Sequence, residues 1–260
     1  MSDNITKTAK MLLKKGNNVI FTGAGISTES GIPDYRSQGG LWDKFQPVYF
    51  DDFMSREDAR IEYWRQWQGL DQALNQAAPN RGHLAVAELY NLGFIQAVIT
   101  QNIDGMHQAS GIPDTAVIEL HGNARRIRCM RCNAISTTDA ARERLASGDP
   151  APACDCGGFL KPDTISFGQS MAMEKVHQAM TLSEQSDLFI VVGSTLLVQP
   201  AAHMPIYAKQ NNAFLVIINL SDTPCDNVSD LIIREKAGGV LNNIHQAVKT
   251  GLQDQGLFTR

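Results

Sequence analysis

Val19-Ile20-Phe21-Thr22-Gly23-Ala24-Gly25-Ile26-Ser27 runs an apolar, β-branched segment straight into a glycine loop. A continuous apolar run of this length fits a strand buried on both faces, as in a parallel sheet covered by helices. Glycines directly after a first strand let the backbone turn tightly and approach a pyrophosphate, while N–H groups at a helix start face the anion. The dehydrogenase fingerprint needs a third glycine three residues after the second. Thr28 stands there, so the fingerprint fails. Taken by itself, the loop reads as a tight structural turn or a nucleotide cradle, with the structural turn slightly ahead.

Outward from this stretch the chain repeats the same alternation. Ile95 to Ile99, Leu188 to Val192 and Phe214 to Ile218 are further short apolar runs, each ending in polar or glycine-containing sequence. Between them lie helical stretches. One is expected from Asn80, a suitable N-cap, to Leu92, with Gly93 as its stop. Another covers roughly 172–183. Strand–helix alternation predicts a doubly wound α/β domain. Two stretches break the rhythm. Residues 41–78 carry all three tryptophans and read as helical, and residues 125–162 hold four of the five cysteines with much Gly, Pro and Ala. Both are expected to be insertions that form a smaller domain, 41–78 with 125–162. The large domain is then discontinuous, over 1–40, 79–124 and 163–260. A cleft between two such lobes is a common ligand site.

The net charge of −4 over 260 residues gives no basic footprint for nucleic acid, so no direct nucleic-acid partner is expected. No apolar run approaches the roughly 20 residues that span a bilayer, so no membrane partner is expected either. The polar start, Met1-Ser2-Asp3-Asn4, lacks the pattern of a secretory signal, and the expected address is the cytoplasm, where thiols stay reduced. That bears on the cysteines. Cys129-Met130-Arg131-Cys132 is a C-x-x-C knuckle, and Cys154-Asp155-Cys156 comes after 21 intervening residues. Four thiolates close a tetrahedral shell around Zn²⁺ with no open position, which makes a structural site. The alternatives are free thiols or a disulfide, and the reducing compartment disfavours the latter. Cys225 lies far off and is read as a bystander. Of the six histidines, His83, His107, His121, His177, His203 and His245, residue type alone singles out none.

The glycine loop continues into Ser30-Gly31-Ile32-Pro33-Asp34-Tyr35-Arg36. Then come Thr100-Gln101-Asn102-Ile103-Asp104-Gly105, Glu119-Leu120-His121-Gly122, Gly193-Ser194-Thr195 with Val198 and Pro200, and Ile218-Asn219. This ordered series resembles the sirtuins, from about residue 10 to residue 245. The resemblance implies a large Rossmann-like domain plus a smaller helical and zinc-binding one. It implies an NAD-consuming deacylase that removes acyl groups, acetyl foremost, from lysines of protein substrates. The products are nicotinamide, free lysine and O-acyl-ADP-ribose. His121 is implied as general base, taking a proton from a ribose hydroxyl after the glycosidic bond of NAD is cleaved; a neutral imidazole suits that task. Asn102 and Asp104 are implied at the reacting end. Gln101, Asn102, Ile103 and Asp104 would line the nicotinamide end of the pocket. Tyr35 would cover the ribose, with Asp34 beside it, and Arg36 and Ser27 would meet phosphate or ribose oxygens. Gly23, Ala24, Gly25 and Gly193, Ser194, Thr195 resemble phosphate-contacting turns. Asn219, Leu220 and Ser221 resemble the adenosine-ribose contact, and Ala237 the adenine contact. Ile165, Phe167 and Gly168 resemble the segment that pairs with a substrate peptide backbone, a form of β-augmentation. His107 reads as a scaffold residue near the cleft.

Three positions depart from the family's pattern. The second cysteine pair is C-x-C where C-x-x-C is more usual, and Gln169 stands where Glu usually comes after the glycine. Members acting on acidic acyl groups carry Tyr-x-x-Arg; here Tyr63 is followed by Gln66, with Arg65 on another helix face, so a succinyl or malonyl preference has no support. The aromatics Tyr63, Trp64 and Trp67 are read as packing for the small domain, or as lining for a wide apolar pocket. Protein mono-ADP-ribosylation is the alternative chemistry, and a non-catalytic NAD-binding module the alternative class; an intact His121 disfavours both.

Overall fold

The computed structural model describes residues 3–14, 16–34 and 46–254. Its strands are β1 (Asn18–Thr22), β2 (Ala97–Thr100), β3 (Val117–Glu119), β4 (Gly122–Cys129), β5 (Ile135–Thr137), β6 (Leu160–Thr164), β7 (Leu188–Val192), β8 (Phe214–Ile218) and β9 (Leu231–Ile233). Its helices are α1 (Asp3–Leu13), α2 (Phe50–Ser55), α3 (Glu57–Gln76), α4 (Arg81–Asn91), α5 (Met106–Ala109), α6 (Thr138–Ala146), α7 (Met173–Glu184), α8 (Met204–Gln210) and α9 (Ala237–Asp254).

Six strands form one parallel sheet in the order β3-β2-β1-β7-β8-β9. Strand order runs outward in both directions from β1 and β7, so the topological switch point lies between them, where open α/β sheets bind ligands. Period-2 alternation sends both sets of side chains into apolar layers. Ile20, Val98, Ile190 and Val216 face α1, α4 and α9. Val19, Phe21, Ile99, Phe189 and Ile217 face α7 and α8. This double coverage explains why β1 and β7 are apolar almost throughout rather than alternating. The helix expected after Asn80 is present, with Gly82 N–H donating to Asn80 Oδ1 at 2.8 Å and Gly93 at φ +76 beyond its end.

A second sheet, antiparallel and ordered β5-β4-β6, is built from residues 122–164 and carries the cysteine loops. Trp64 and Trp67 of α3 are buried against Ile127 of β4 and Ala141 of α6. Arg142 of α6 grips Asp71 of α3 with two hydrogen bonds, 2.7 and 2.8 Å. Strands β3, β4, β5, β6 and β9 do not stand out in the sequence as apolar runs. Three of them have only three residues, and β4 reads Gly-Asn-Ala-Arg-Arg-Ile-Arg-Cys, with Arg126 and Arg128 committed to ion pairs. The run expected from Ile95 forms strand only from Ala97.

Candidate active site

The glycine loop makes a tight turn at the end of β1. No long helix begins there; the chain makes two 3₁₀ turns instead, Ala24–Ile26 and Thr28–Ser30. The loop packs on the turn after β7. Gly23 N–H donates to Val192 O at 3.0 Å and Gly25 N–H to Gly193 O at 2.8 Å. A Cβ on Gly23 would stand 2.7 Å from Gly193 O, and one on Gly25 would stand 2.7 Å from Gly193 Cα. Gly193 itself has φ +62 and no room for a side chain against Ile26 N. The glycines let the turns after β1 and β7 interlock at the switch point.

A cavity of about 1700 Å³ opens over the C-terminal ends of β1, β2, β7 and β8, with α3 and residues 165–171 on its other side. Most of the residues singled out in the sequence line it. They are Gly23, Ala24, Gly25 and Asp34; Gln101, Asn102 and Ile103; His121; Gly193, Ser194 and Thr195; Asn219, Leu220, Ser221 and Ala237; and Ile165, Phe167 and Gly168. Tyr35 and Arg36 lie outside the described residues. Ser27 and Asp104 stand behind the wall rather than on it. Both are buried, and Ser27 Oγ–H donates to Asp104 Oδ2 at 2.7 Å. Asn102 is tied to the same cluster, its Nδ2 donating to Gly23 O at 3.1 Å and Ser27 Oγ at 3.3 Å. The wall formed by α3 is only partly legible in the sequence. Tyr63, Gln66, Trp67, Leu70 and Ala73 all line the cavity, and their i, i+3, i+4, i+7, i+10 spacing marks one helical face. Of the aromatic cluster, Tyr63 and Trp67 reach the cavity, while Trp64 packs beside Trp67 in the small-domain core.

His121 sits half-buried on the loop between β3 and β4. Its Nδ1 lies 2.9 Å from Gln101 O. A carbonyl oxygen only accepts, so Nδ1 carries the proton and Nε2 keeps the lone pair. Burial lowers its pKa below the ordinary histidine value, against the opposing pull of the Gln101 hydrogen bond, so the ring is neutral at pH 7. The next residue, Gly122, has φ +77, and a Cβ there would collide with Asp163 O. This close approach lets Ile165 N–H donate to His121 O at 2.9 Å, which couples the histidine's backbone to segment 165–168.

The four cysteines of the small sheet come together. All four Sγ atoms lie within 4.8 Å of one another, Cys129 and Cys156 at 3.5 Å, Cys132 and Cys154 at 3.8 Å. Tetrahedral Zn–S bonds of about 2.3 Å place sulfurs about 3.8 Å apart. Backbone N–H groups of Arg131 and Cys132 point at Cys129 Sγ, 3.4 and 3.5 Å away, as expected around a thiolate. The short C-x-C spacing is accommodated by a turn in which Gly157 N–H donates to Cys154 O at 2.7 Å. The donor set fits one structural Zn²⁺. Cys225 is buried in the large core, apart from this cluster.

Comparison with known proteins agrees with this geometry. The model of the Sir2 family matches residues 23–200. An NAD-dependent protein deacetylase of Rhodopseudomonas palustris is 46% identical over 242 residues, 93% of this chain and 96% of that protein. NAD-dependent protein deacetylase 1 of Bradyrhizobium diazoefficiens is 45% identical, over 93% and 95% respectively. Among solved structures, a Sir2 variant with a deacetylated p53 peptide and 3′-O-acetyl ADP ribose is similar, with TM-score 0.85, 33% identity and coverage of 98% of this chain and 100% of that one. A Sir2 complex with a p53 peptide and NAD⁺ gives TM-score 0.81, 33% identity, and 99% and 100% coverage.

Proposed function

The chain belongs to the Sir2 family, and from that premise we propose that it removes acetyl groups from protein lysines with consumption of NAD, His121 being the general base. The observation that carries this reading is the fixed tautomer of His121. Its Nδ1–H is committed to Gln101 O, which leaves the basic Nε2 in a cavity shared by the glycine turns and segment 165–168. NAD supplies the anomeric carbon that takes the acyl oxygen, and nicotinamide leaves. His121 Nε2 then accepts the proton of a ribose hydroxyl as that oxygen attacks the acyl carbon; the lysine amine leaves from that carbon and one water adds to it, which gives O-acetyl-ADP-ribose.

The roles assigned to the other residues are those the family resemblance implies, and the shared cavity supports them for the residues that line it. Gly23, Ala24, Gly25, Gly193, Ser194 and Thr195 receive the phosphates. Asn219, Leu220, Ser221 and Ala237 receive adenosine. Gln101, Asn102 and Ile103, backed by Ser27 and Asp104, receive the nicotinamide end; Tyr35, with Asp34, is assigned to the ribose and Arg36 to phosphate or ribose oxygens. Ile165, Phe167 and Gly168 pair with the substrate backbone. Residues 41–78 and 125–162 act as the small lobe, held by zinc on Cys129, Cys132, Cys154 and Cys156. A reduced compartment, the cytoplasm, keeps those thiols free to bind metal.

Incubation with NAD and an acetyl-lysine peptide, followed by mass spectrometry, tests the reading. Nicotinamide, free lysine peptide and O-acetyl-ADP-ribose form in equal amounts if it holds. NAD consumption with ADP-ribose appearing on protein, and no lysine released, contradicts it.

A further inference from the structure

The side of the cavity formed by residues 162–168 is backed by a lysine that the reaction above does not use. Lys161 lies in β6 and is fully buried. Among the described residues no carboxylate pairs with it; Asp163, two residues on, is taken by Arg126 and Arg128. An ammonium taken out of water without an anion needs strong acceptors for its hydrogens. Lys161 finds them in main-chain carbonyls. Its Nζ donates to Thr164 O at 2.5 Å and to Pro162 O at 3.3 Å, and stands 5.2 Å from the centre of the Tyr63 ring. Tyr63, on α3, lines the cavity, and its hydroxyl meets Thr164 Oγ1 at 3.1 Å.

The peptide unit between Thr164 and Ile165 is therefore held from both sides. Its C=O accepts from Lys161, and its N–H donates to His121 O at 2.9 Å. A charge-assisted bond at the oxygen polarises the amide and strengthens the bond at the nitrogen. The plane of this unit also sets the direction in which the chain leaves β6 and enters segment 165–168. We propose that Lys161 is a positioning residue for the acyl-lysine substrate: its buried ammonium holds the Thr164–Ile165 peptide unit between itself and His121, so that residues 165–168 present a rigid main-chain edge to the substrate. A buried charge that served stability alone would be replaceable by an apolar side chain of the same length. The inference rests on the deacetylase reading of the cavity.

Two substitutions test it. Lys161→Met keeps the length of the side chain and removes its charge and donors, whereas Lys161→Arg keeps both. In Lys161→Met the Ile165 amide is expected to exchange its hydrogen at least tenfold faster, while the amides of β1 and β7 exchange as in wild type. The KM for an acetyl-lysine peptide rises at least fivefold. The KM for NAD stays within twofold and kcat within threefold, because Gln101 O still holds the His121 ring. Lys161→Arg keeps the peptide KM within threefold of wild type. An unchanged Ile165 exchange rate or peptide KM in Lys161→Met, or equal losses in the two variants, overturns the proposal and leaves the deacetylase reading intact. Faster exchange throughout the parallel sheet does the same, since it marks a lysine that only stabilises the fold. A wild-type protein that releases no lysine from the peptide overturns both.

Discussion

His121 and Gly193 show how far a single residue's chemistry is set by backbone neighbours. Gln101 O takes the Nδ1–H of His121, and burial lowers the ring's pKa. With His121 as the proposed base its neutral form is the active one, so kcat is expected to rise with pH through a midpoint below 6.5 and to be flat above it. A kcat–pH profile with its acid limb above 6.5 is the contrary result. At Gly193 the constraint is space as well as φ. Gly31 has φ +84 but nothing within 4 Å of where a Cβ would stand, whereas Gly193 faces the backbone of Gly25 and Ile26. Gly31→Ala therefore costs about 1 kcal/mol, from backbone conformation alone. Gly193→Ala costs about 3 kcal/mol or more and displaces the glycine loop, with loss of NAD binding. Urea unfolding of the two variants, with NAD titration, checks the difference.

At the scale of elements, the small sheet depends on its metal and on two clips to α3. Four thiolates around Zn²⁺ hold loops that have little apolar cover; Ile135 on β5 is itself exposed. Trp64 and Trp67 meet edge to face, with ring centroids 5.1 Å apart, on Ile127 and Ala141. Removing zinc with a chelator releases the small sheet and changes tryptophan fluorescence, while the far-UV signal of the helices over the parallel sheet is largely kept. Loss of all structure in one step, or no fluorescence change, contradicts this division. Burial at the same scale decides which elements the sequence reveals. Strands β1, β7 and β8 announce themselves because both their faces are buried, which leaves few polar residues to obscure the run. β4 does not, because Arg126 and Arg128 on it answer Glu119 and Asp163, contacts that exist only after folding. The cavity face of α3 is partly hidden for a similar reason: Leu70 and Ala73 look like ordinary core residues until the opposite wall is known.

For the whole molecule, the switch point between β1 and β7 gathers segments that are far apart in sequence, from Gly23 to Ala237, into one cavity. Motif order makes most of that gathering legible. The layer behind it is not, since Ser27 and Asp104 share their motifs with wall residues but point into a buried network. Two buried histidines, His83 beside Ser27 and His107 beside Thr22, also weaken the fold in acid. Burial lowers His83 to about 4 and His107 to about 3, below the 6.5 of an unfolded histidine. Below pH 6.5 the unfolded chain therefore binds protons that the native state refuses. Stability is full above 6.5 and declines as pH falls towards 4 and then 3, by at most about 1.4 kcal/mol per pH unit for each histidine. Denaturant midpoints measured from pH 8 to pH 4 check this sign; a midpoint that rises on acidification contradicts it.

The most direct test of the whole account is to follow two products in one His121→Ala reaction with NAD and acetyl-lysine peptide: nicotinamide exchanged into NAD, and lysine released. Because the base acts after the glycosidic bond has broken, exchange persists within about tenfold of wild type while lysine release falls by about 10²–10⁴. Lysine release that continues at the wild-type rate contradicts the assignment of His121 as the base on which the account rests.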